Sequence, residues 1–254
     1  MREPEIEIRS VCKAYTVDNK ENAVIRNLNM QIEPHKFVSI LGYTGCGKST
    51  LLRIICGLEP VDEGEVLVRG KRVSAPSKST VLIYQDLDQL FPWKTAANNI
   101  SYVIRKTNPG MDRKEAQDQA RELLSRVGLE EYESYYPSQM SGGMRQRCAV
   151  ARAIAAKPQI LLMDEPFSAL DEVSRRKLQK LCRDLFEGSN LTILFVTHSV
   201  DEAITLSDEI IVMGKTEGNI LEKIDNTYRV GATEKERINM RMKIMACMNS
   251  EIQK

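Results

Sequence analysis

Gly42-Tyr43-Thr44-Gly45-Cys46-Gly47-Lys48-Ser49-Thr50 carries the Gly-x-x-x-x-Gly-Lys-Ser spacing of a phosphate-binding loop. It follows the short apolar run Phe37-Val38-Ser39-Ile40-Leu41 and opens a second one, Leu51-Leu52-Arg53-Ile54-Ile55-Cys56. The order strand, loop, helix gives the motif its meaning. Glycines let the backbone curl so that its N–H groups converge on a phosphate, and the helix N-terminus adds positive potential at the same point. Lys48 is then expected at the β- and γ-phosphates of a nucleoside triphosphate, and Ser49 as a ligand of its Mg²⁺. The plainer reading, a glycine-rich turn without a ligand, fits the full pattern poorly. Cys46, flanked by glycines at a helix N-terminus, is expected to have a lowered thiol pKa and to be reactive until ATP covers it.

Outward from this loop, the runs 160–163, 191–196 and 210–213 are near-continuous and rich in Ile, Leu and Val. Such runs suit parallel strands covered on both faces. The segment 5–11 alternates polar and apolar instead, as a half-buried strand does. Helical spacing appears at Ala116, Ala120, Leu123, Leu124 and Val127, stopped by Gly128, and again at Leu178, Leu181, Cys182, Leu185 and Phe186, stopped by Gly188. Strands alternating with helices predict an α/β fold with a mainly parallel sheet. Between about 95 and 140 the β signal vanishes, which predicts an inserted helical lobe. After Gly218 the sequence is polar, with Met240, Met242, Met245 and Met248 near its end, and predicts a short helical tail over about 218–254 with little β character. All 254 residues read as one domain.

The run 160–163 ends in Asp164-Glu165. Parallel sheets bind ligands at the carboxyl ends of their strands, so these carboxylates are expected beside the phosphate loop. Asp164 would hold Mg²⁺ through its water shell, and Glu165 would orient the attacking water or take its proton. His198 follows a strand, where a lone histidine is ordinarily a polar cap, and Gln85 and Tyr15 are equally ordinary in isolation.

Composition narrows the partners. Thirty-six basic against 35 acidic side chains leave a net charge of +1, which gives no global attraction to nucleic acid or an anionic membrane. Six cysteines without paired spacing suggest free thiols in a reducing compartment. The charged start, Met1-Arg2-Glu3-Pro4-Glu5, lacks an apolar secretion stretch, and no run reaches the roughly 20 apolar residues that span a bilayer. The expectation is a chain that is not exported and reaches a membrane only through a partner. Asn99-Ile100-Ser101 and Asn190-Leu191-Thr192 match the glycosylation pattern without functional weight.

Met140-Ser141-Gly142-Gly143-Met144-Arg145-Gln146-Arg147 resembles the signature motif of ABC transporter ATPases. The other motifs fall in that family's order. Gln85 resembles its Q-loop glutamine, Ser168-Ala169-Leu170-Asp171 its D-loop, His198 its switch histidine, and Tyr15 its adenine-stacking aromatic. The resemblance implies the ABC ATPase fold: a P-loop core, an N-terminal antiparallel β subdomain and an inserted α-helical subdomain. It implies ATP and Mg²⁺, the ion held by Ser49, Gln85 and Asp164, with Glu165, His198, Gln85 and Lys48 catalytic. It further implies a head-to-tail homodimer in which Ser141, Gly142, Gly143 and Met144 close over the partner's ATP. Two transmembrane permease subunits, an extracytoplasmic solute-binding protein and a place on the cytoplasmic membrane face complete the expectation, with no nucleic acid.

Met140 and Met144 depart from the leucine and glutamine commonest in the signature, outside its Ser-Gly-Gly core. The wording around Met144 and at Leu90-Phe91-Pro92-Trp93-Lys94-Thr95 resembles importers of nitrate, sulfonate and taurine. Phe91 and Trp93 are expected either to pack at the base of the lobe or to line the groove that receives a permease helix. A soluble ABC-type ATPase acting on nucleic acid or ribosomes, a non-importer transporter subunit and a non-hydrolysing regulatory module are the alternatives. The first usually needs a second cassette or a long coiled coil, and the last would be expected to lose Glu165 or His198.

Overall fold

A computed structural model describes residues 3–17, 20–168, 170–215, 217–226 and 233–249. It opens with strands β1 (Ile6–Val17), β2 (Lys20–Ile32) and β3 (Phe37–Leu41), helix α1 (Lys48–Ile55), and strands β4 (Glu63–Val68), β5 (Lys71–Arg72) and β6 (Thr80–Ile83). Helices α2 (Ala96–Thr107), α3 (Arg113–Arg126) and α4 (Gly142–Ala155) follow, then β7 (Ile160–Asp164) and α5 (Glu172–Glu187). The chain continues through β8 (Thr192–Thr197), α6 (Val200–Leu206), β9 (Glu209–Met213), β10 (Ile220–Asp225) and α7 (Glu234–Asn249). It divides into two compact units, Met1–Ser77 with Asn190–Lys254, and Lys78–Ser189.

In the first unit β1 pairs antiparallel with β2 and β4, placing Ile6 opposite Ile32 and Val68. The alternation read at 5–11 buries Ile6 and Ile8 while Glu7 and Arg9 face outward, joined by an ion pair at 2.8 Å. A second set of strands runs in the order β10-β9-β3-β8, with β9, β3 and β8 parallel. Every side chain of β3, β8 and β9 is buried, which is why these strands read as near-continuous apolar runs, with Glu209 at the start of β9 paired to Lys36 and Lys223.

The segment after Gly218 corrects the helical tail expected there. It begins with β10, which pairs antiparallel with β9, and the helix starts only at Glu234. β10 lies at the end of the strand order and buries Ile224 alone, so Glu222, Lys223 and Asp225 can stay polar and the apolar strand signal is absent. α7 buries Met240, Ile244 and Met248, spaced four apart, against Val200, Ala203 and Ile204 of α6.

The second unit holds the parallel pair β6 and β7 and the helices α2 to α5. Residues 95–140 are helical apart from short connections. Ile100, Ile104, Ala116, Ala120, Leu124 and Cys148 form the common core of α2, α3 and α4. Side-chain caps start these helices: the Thr95 hydroxyl accepts from Asn98 N–H and the Asp112 carboxylate from Lys114 N–H. Fully buried Asn99 ties Phe91 to α2, accepting from Phe91 N–H and donating to the Phe91, Lys94 and Thr95 carbonyls. A side chain so enclosed offers no glycosylation site in the folded protein.

Ile244→Ala should destabilise the protein by roughly 2–5 kcal/mol, whereas Met242→Ala on the exposed side of the same helix should cost less than about 0.5 kcal/mol. Urea unfolding followed by circular dichroism measures both. Equal costs would mean that α7 does not pack through the Met240, Ile244 and Met248 face.

Candidate nucleotide site

The phosphate loop lies in the first unit, between the buried strand β3 and α1. Gly45 and Gly47 adopt φ of 86° and 98°, the left-handed region that side chains avoid. At Gly47 a Cβ would also meet Val24 O at 2.9 Å, while at Gly45 it would face open space. Gly47 caps α1 without offering a side-chain acceptor, and no acidic residue occupies the first turn. No side chain at the N-cap competes for this helix N-terminus, the arrangement that takes an anion. Buried Lys48 folds back along the loop and donates from Nζ to the Gly42 and Tyr43 carbonyls at 2.9 and 2.7 Å. These residues fit the phosphates of a nucleotide.

Cys46 corrects the expectation of a reactive thiol. The side chain is 2% exposed and turned inward, with Sγ where a Cβ on Gly42 would meet it at 2.9 Å. Burial pushes the thiol pKa up, and the Lys48 ammonium, 3.9 Å from Sγ, only partly offsets that. The sequence shows the helix N-terminus that lowers a thiol pKa but not the direction in which the side chain points.

The same unit carries Tyr15, half-buried on β1 with the Lys13 ammonium 5.4 Å from its ring centre, and half-buried Ser49 and buried Thr50 on α1. His198 is exposed one residue beyond β8. Its turn is fixed from both sides, since the Thr197 hydroxyl accepts from Ser199 N–H and donates to the Glu202 carboxylate at 2.7 Å.

The second unit holds the remaining candidates. Asp164 ends β7, and Glu165 follows in the left-handed region at φ 43°, with its carbonyl accepting from the backbone N–H and the hydroxyl of Ser168. A non-glycine residue held there costs about 1–3 kcal/mol, and such strain collects at functional turns. Of the expected D-loop, Ser168 is exposed, Leu170 is buried, and Ala169 lies outside the described residues. Asp171 caps α5 by accepting from Ser174 N–H at 2.9 Å, which holds its carboxyl below the usual range.

Gln85 is exposed on the loop after β6. Ser141 caps α4, its hydroxyl accepting from Met144 N–H at 3.3 Å, and half-buried Gly142 and Gly143 form the first turn. Met140 is buried in the helical core and Met144 packs against it, so the two departures from the signature fill apolar space that a flexible thioether suits. Asp88, Gln89 and Asn99 escaped the sequence reading. Their contacts lie far along the chain or depend on burial, and no spacing announces them.

The ABC transporter family pattern matches residues 25–168. The chain belongs to the ABC transporter family. It is similar to the aliphatic sulfonates import ATP-binding protein of Bacillus cereus, at 40% identity over 87% of this chain and 86% of that one. The bicarbonate transport ATP-binding protein of Synechococcus elongatus is 36% identical over 85% of this chain and 33% of its own, longer length. A dimeric ATP-binding cassette solved in a post-hydrolysis state with ADP and Pi superposes with a TM-score of 0.79 at 31% identity, covering 87% of this chain and 98% of that one. The fold is thus the α/β P-loop fold of ABC ATPases, and this ABC protein is an ATP-binding ATPase subunit. Subunits of its kind pair with a second cassette and with a permease.

Raised pKa and burial predict that iodoacetamide at about pH 8, where an ordinary free thiol is partly ionised, leaves Cys46 of this ABC ATPase unmodified in the native protein and modifies it in urea. Peptide mass spectrometry distinguishes the two states. Rapid native modification would place the thiol outside its buried position.

Proposed function

We propose that this chain is the ATP-hydrolysing subunit of an importer for a small oxyanion of the sulfonate or nitrate type. In this reading it works as a head-to-tail homodimer on the cytoplasmic face of two transmembrane permease subunits, which an extracytoplasmic solute-binding protein supplies. The observation that carries the proposal is that one chain bears two helix N-termini suited to phosphate, at Gly47 before α1 and at Ser141 before α4. Two phosphate-facing termini on each chain suit two nucleotides held between two copies. The names of the sulfonate and bicarbonate relatives support the solute class. No helix among the described residues is long and apolar enough to cross a membrane, which fits a subunit attached through its permease.

ATP enters the loop of one copy, where Lys48 and the loop amides hold the phosphates. Tyr15 stacks on the adenine. Ser49, Gln85 and Asp164 would hold Mg²⁺, which neutralises charge on the phosphate oxygens when bound. Glu165 orients the attacking water and accepts its proton, and His198 contacts the γ-phosphate. Ser141 and Gly143 of the second copy donate to that phosphate, so the triphosphate favours the closed dimer and its hydrolysis releases it.

Trp93 supports a partner surface rather than packing at the base of the lobe. Its side chain is 70% exposed, with Phe91 5.6 Å away and Phe91 in turn edge-on to Tyr102. An aromatic held in the open by its neighbours suits the docking of a permease helix.

Glu165→Gln should lower hydrolysis by roughly 10²–10⁴-fold while ATP binding persists, and the variant should gather as an ATP-bound dimer on size-exclusion chromatography. A rate near that of the unmodified protein would remove Glu165 from the base role. Trp93→Ala should reduce permease-stimulated hydrolysis several-fold and leave permease-free hydrolysis intact. Equal loss of both rates would return Trp93 to a structural role.

A further inference from the structure

Residues 87–89, a single 3₁₀ turn two residues after Gln85, meet the first turns of α4 at three successive points. Leu87 Cδ1 lies where a Cβ on Gly142 would meet it at 3.0 Å. Asp88 accepts an ion-paired hydrogen bond from Arg145 Nη1 at 2.7 Å. Gln89 donates from Nε2 to Gln146 Oε1 at 3.3 Å. Gln89 also organises its own loop, accepting from Tyr84 N–H and donating to the Tyr84 and Asp86 carbonyls at 3.2 and 3.0 Å. All of these atoms belong to the second unit.

The clasp is poorly optimised for stability. Gln89 Nε2 has two hydrogens and three acceptors around it, so its bond to Gln146 is the one it can lose without orphaning a donor. Gln146 is 1% exposed, yet among the described residues its Nε2 has no hydrogen-bond partner, and neither has the buried Nε of Arg145. An apolar side chain at 146 would remove the orphaned amide, and Gln89 would keep an acceptor for each of its hydrogens. The ion pair is no better as a stabiliser, because the Asp88 side chain is largely exposed and screened. Polar groups that cost stability at the start of α4 call for another explanation.

The geometry points to Asp88 and Gln89 as positioning residues: they fix the N-terminal turn of α4 to the segment that follows Gln85, so that Ser141 and Gly143 meet the partner's ATP only when that segment is in place. The inference rests on the proposed roles of Gln85 and of Ser141 to Met144. It assigns new work to Asp88, Gln89, Arg145 and Gln146, which touch no phosphate in that reading. The contact runs through two different chemistries, one ionic and one amide, and each can be altered alone.

Steady-state ATP hydrolysis by the full chain, with thermal unfolding measured in parallel, tests this. Gln146→Met is expected to leave Tm unchanged or raise it, while kcat falls about tenfold and KM for ATP stays within about twofold, because only closure over the partner's ATP is impaired. Asp88→Arg and Arg145→Asp should each lower kcat in the same way, and the double reversal Asp88→Arg with Arg145→Asp should recover at least half of it. An unchanged kcat in folded Gln146→Met, or no recovery in a folded double reversal, overturns the inference. If Gln146→Met does not fold, the charge reversal decides alone. Ser141→Arg is the control: an unaffected kcat there removes the proposed signature itself, whereas loss there without loss in the clasp variants removes only this inference.

Discussion

The phosphate loop requires a chain that leaves a buried strand and enters a helix within a few residues without capping the helix from its own side chains. Gly47 satisfies both demands, since its φ of 98° is open to glycine and a Cβ there would run into Val24 O. Gly47 puts no side-chain cap on α1, and Lys48 lies back on the Gly42 and Tyr43 carbonyls. The surrounding strands make the turn rigid. β3 is buried along its whole length between β8 and β9, so the point at which it releases the chain cannot drift.

The same constraint explains where the other polar candidates sit. β7 and β8 are so fully enclosed that charged chemistry has no place along them. It gathers where they end: Asp164 and Glu165 close β7, and His198 follows β8. Glu165 stands in the left-handed region, and the bonds from Ser168 to its carbonyl hold it there. Ser141 begins α4 differently from α1. Its hydroxyl takes the Met144 N–H and leaves the rest of the turn, built on Gly142 and Gly143, open.

Fold and site were legible to unequal depths. Continuous apolar runs disclosed β3, β7, β8 and β9, because burial on both faces removes polar residues from a strand. Helical spacing disclosed α3 and α5, and the glycine-lysine pattern disclosed the loop. β10 was not legible, since a strand at the end of the order buries so little that its composition resembles that of a polar helix. Cys46 was misread for a related reason. The field of a helix N-terminus is a property of sequence position, but the burial that outweighs it depends on the side chain turning inward beside Gly42, which no local pattern records. The chain places catalytic candidates by local rules and supports them by distant ones.

Polar residues hidden inside the helical unit fall into two kinds. Asn99 has a partner in the 91–95 segment for its carbonyl and for both amide hydrogens and completes an apolar core by satisfying a loop that crosses it, so its polarity costs little. Gln146 is as deeply buried, and its Nε2 has no partner among the described residues. A network that is fully satisfied stabilises one arrangement, whereas one that is half satisfied holds its arrangement weakly. The Asn99 network secures the exposed aromatic segment at Trp93, the surface proposed for a permease helix. The Gln89–Gln146 contact joins the start of α4 to the segment after Gln85, and in the proposed cycle a weakly held joint is the one that a change in bound phosphate can move.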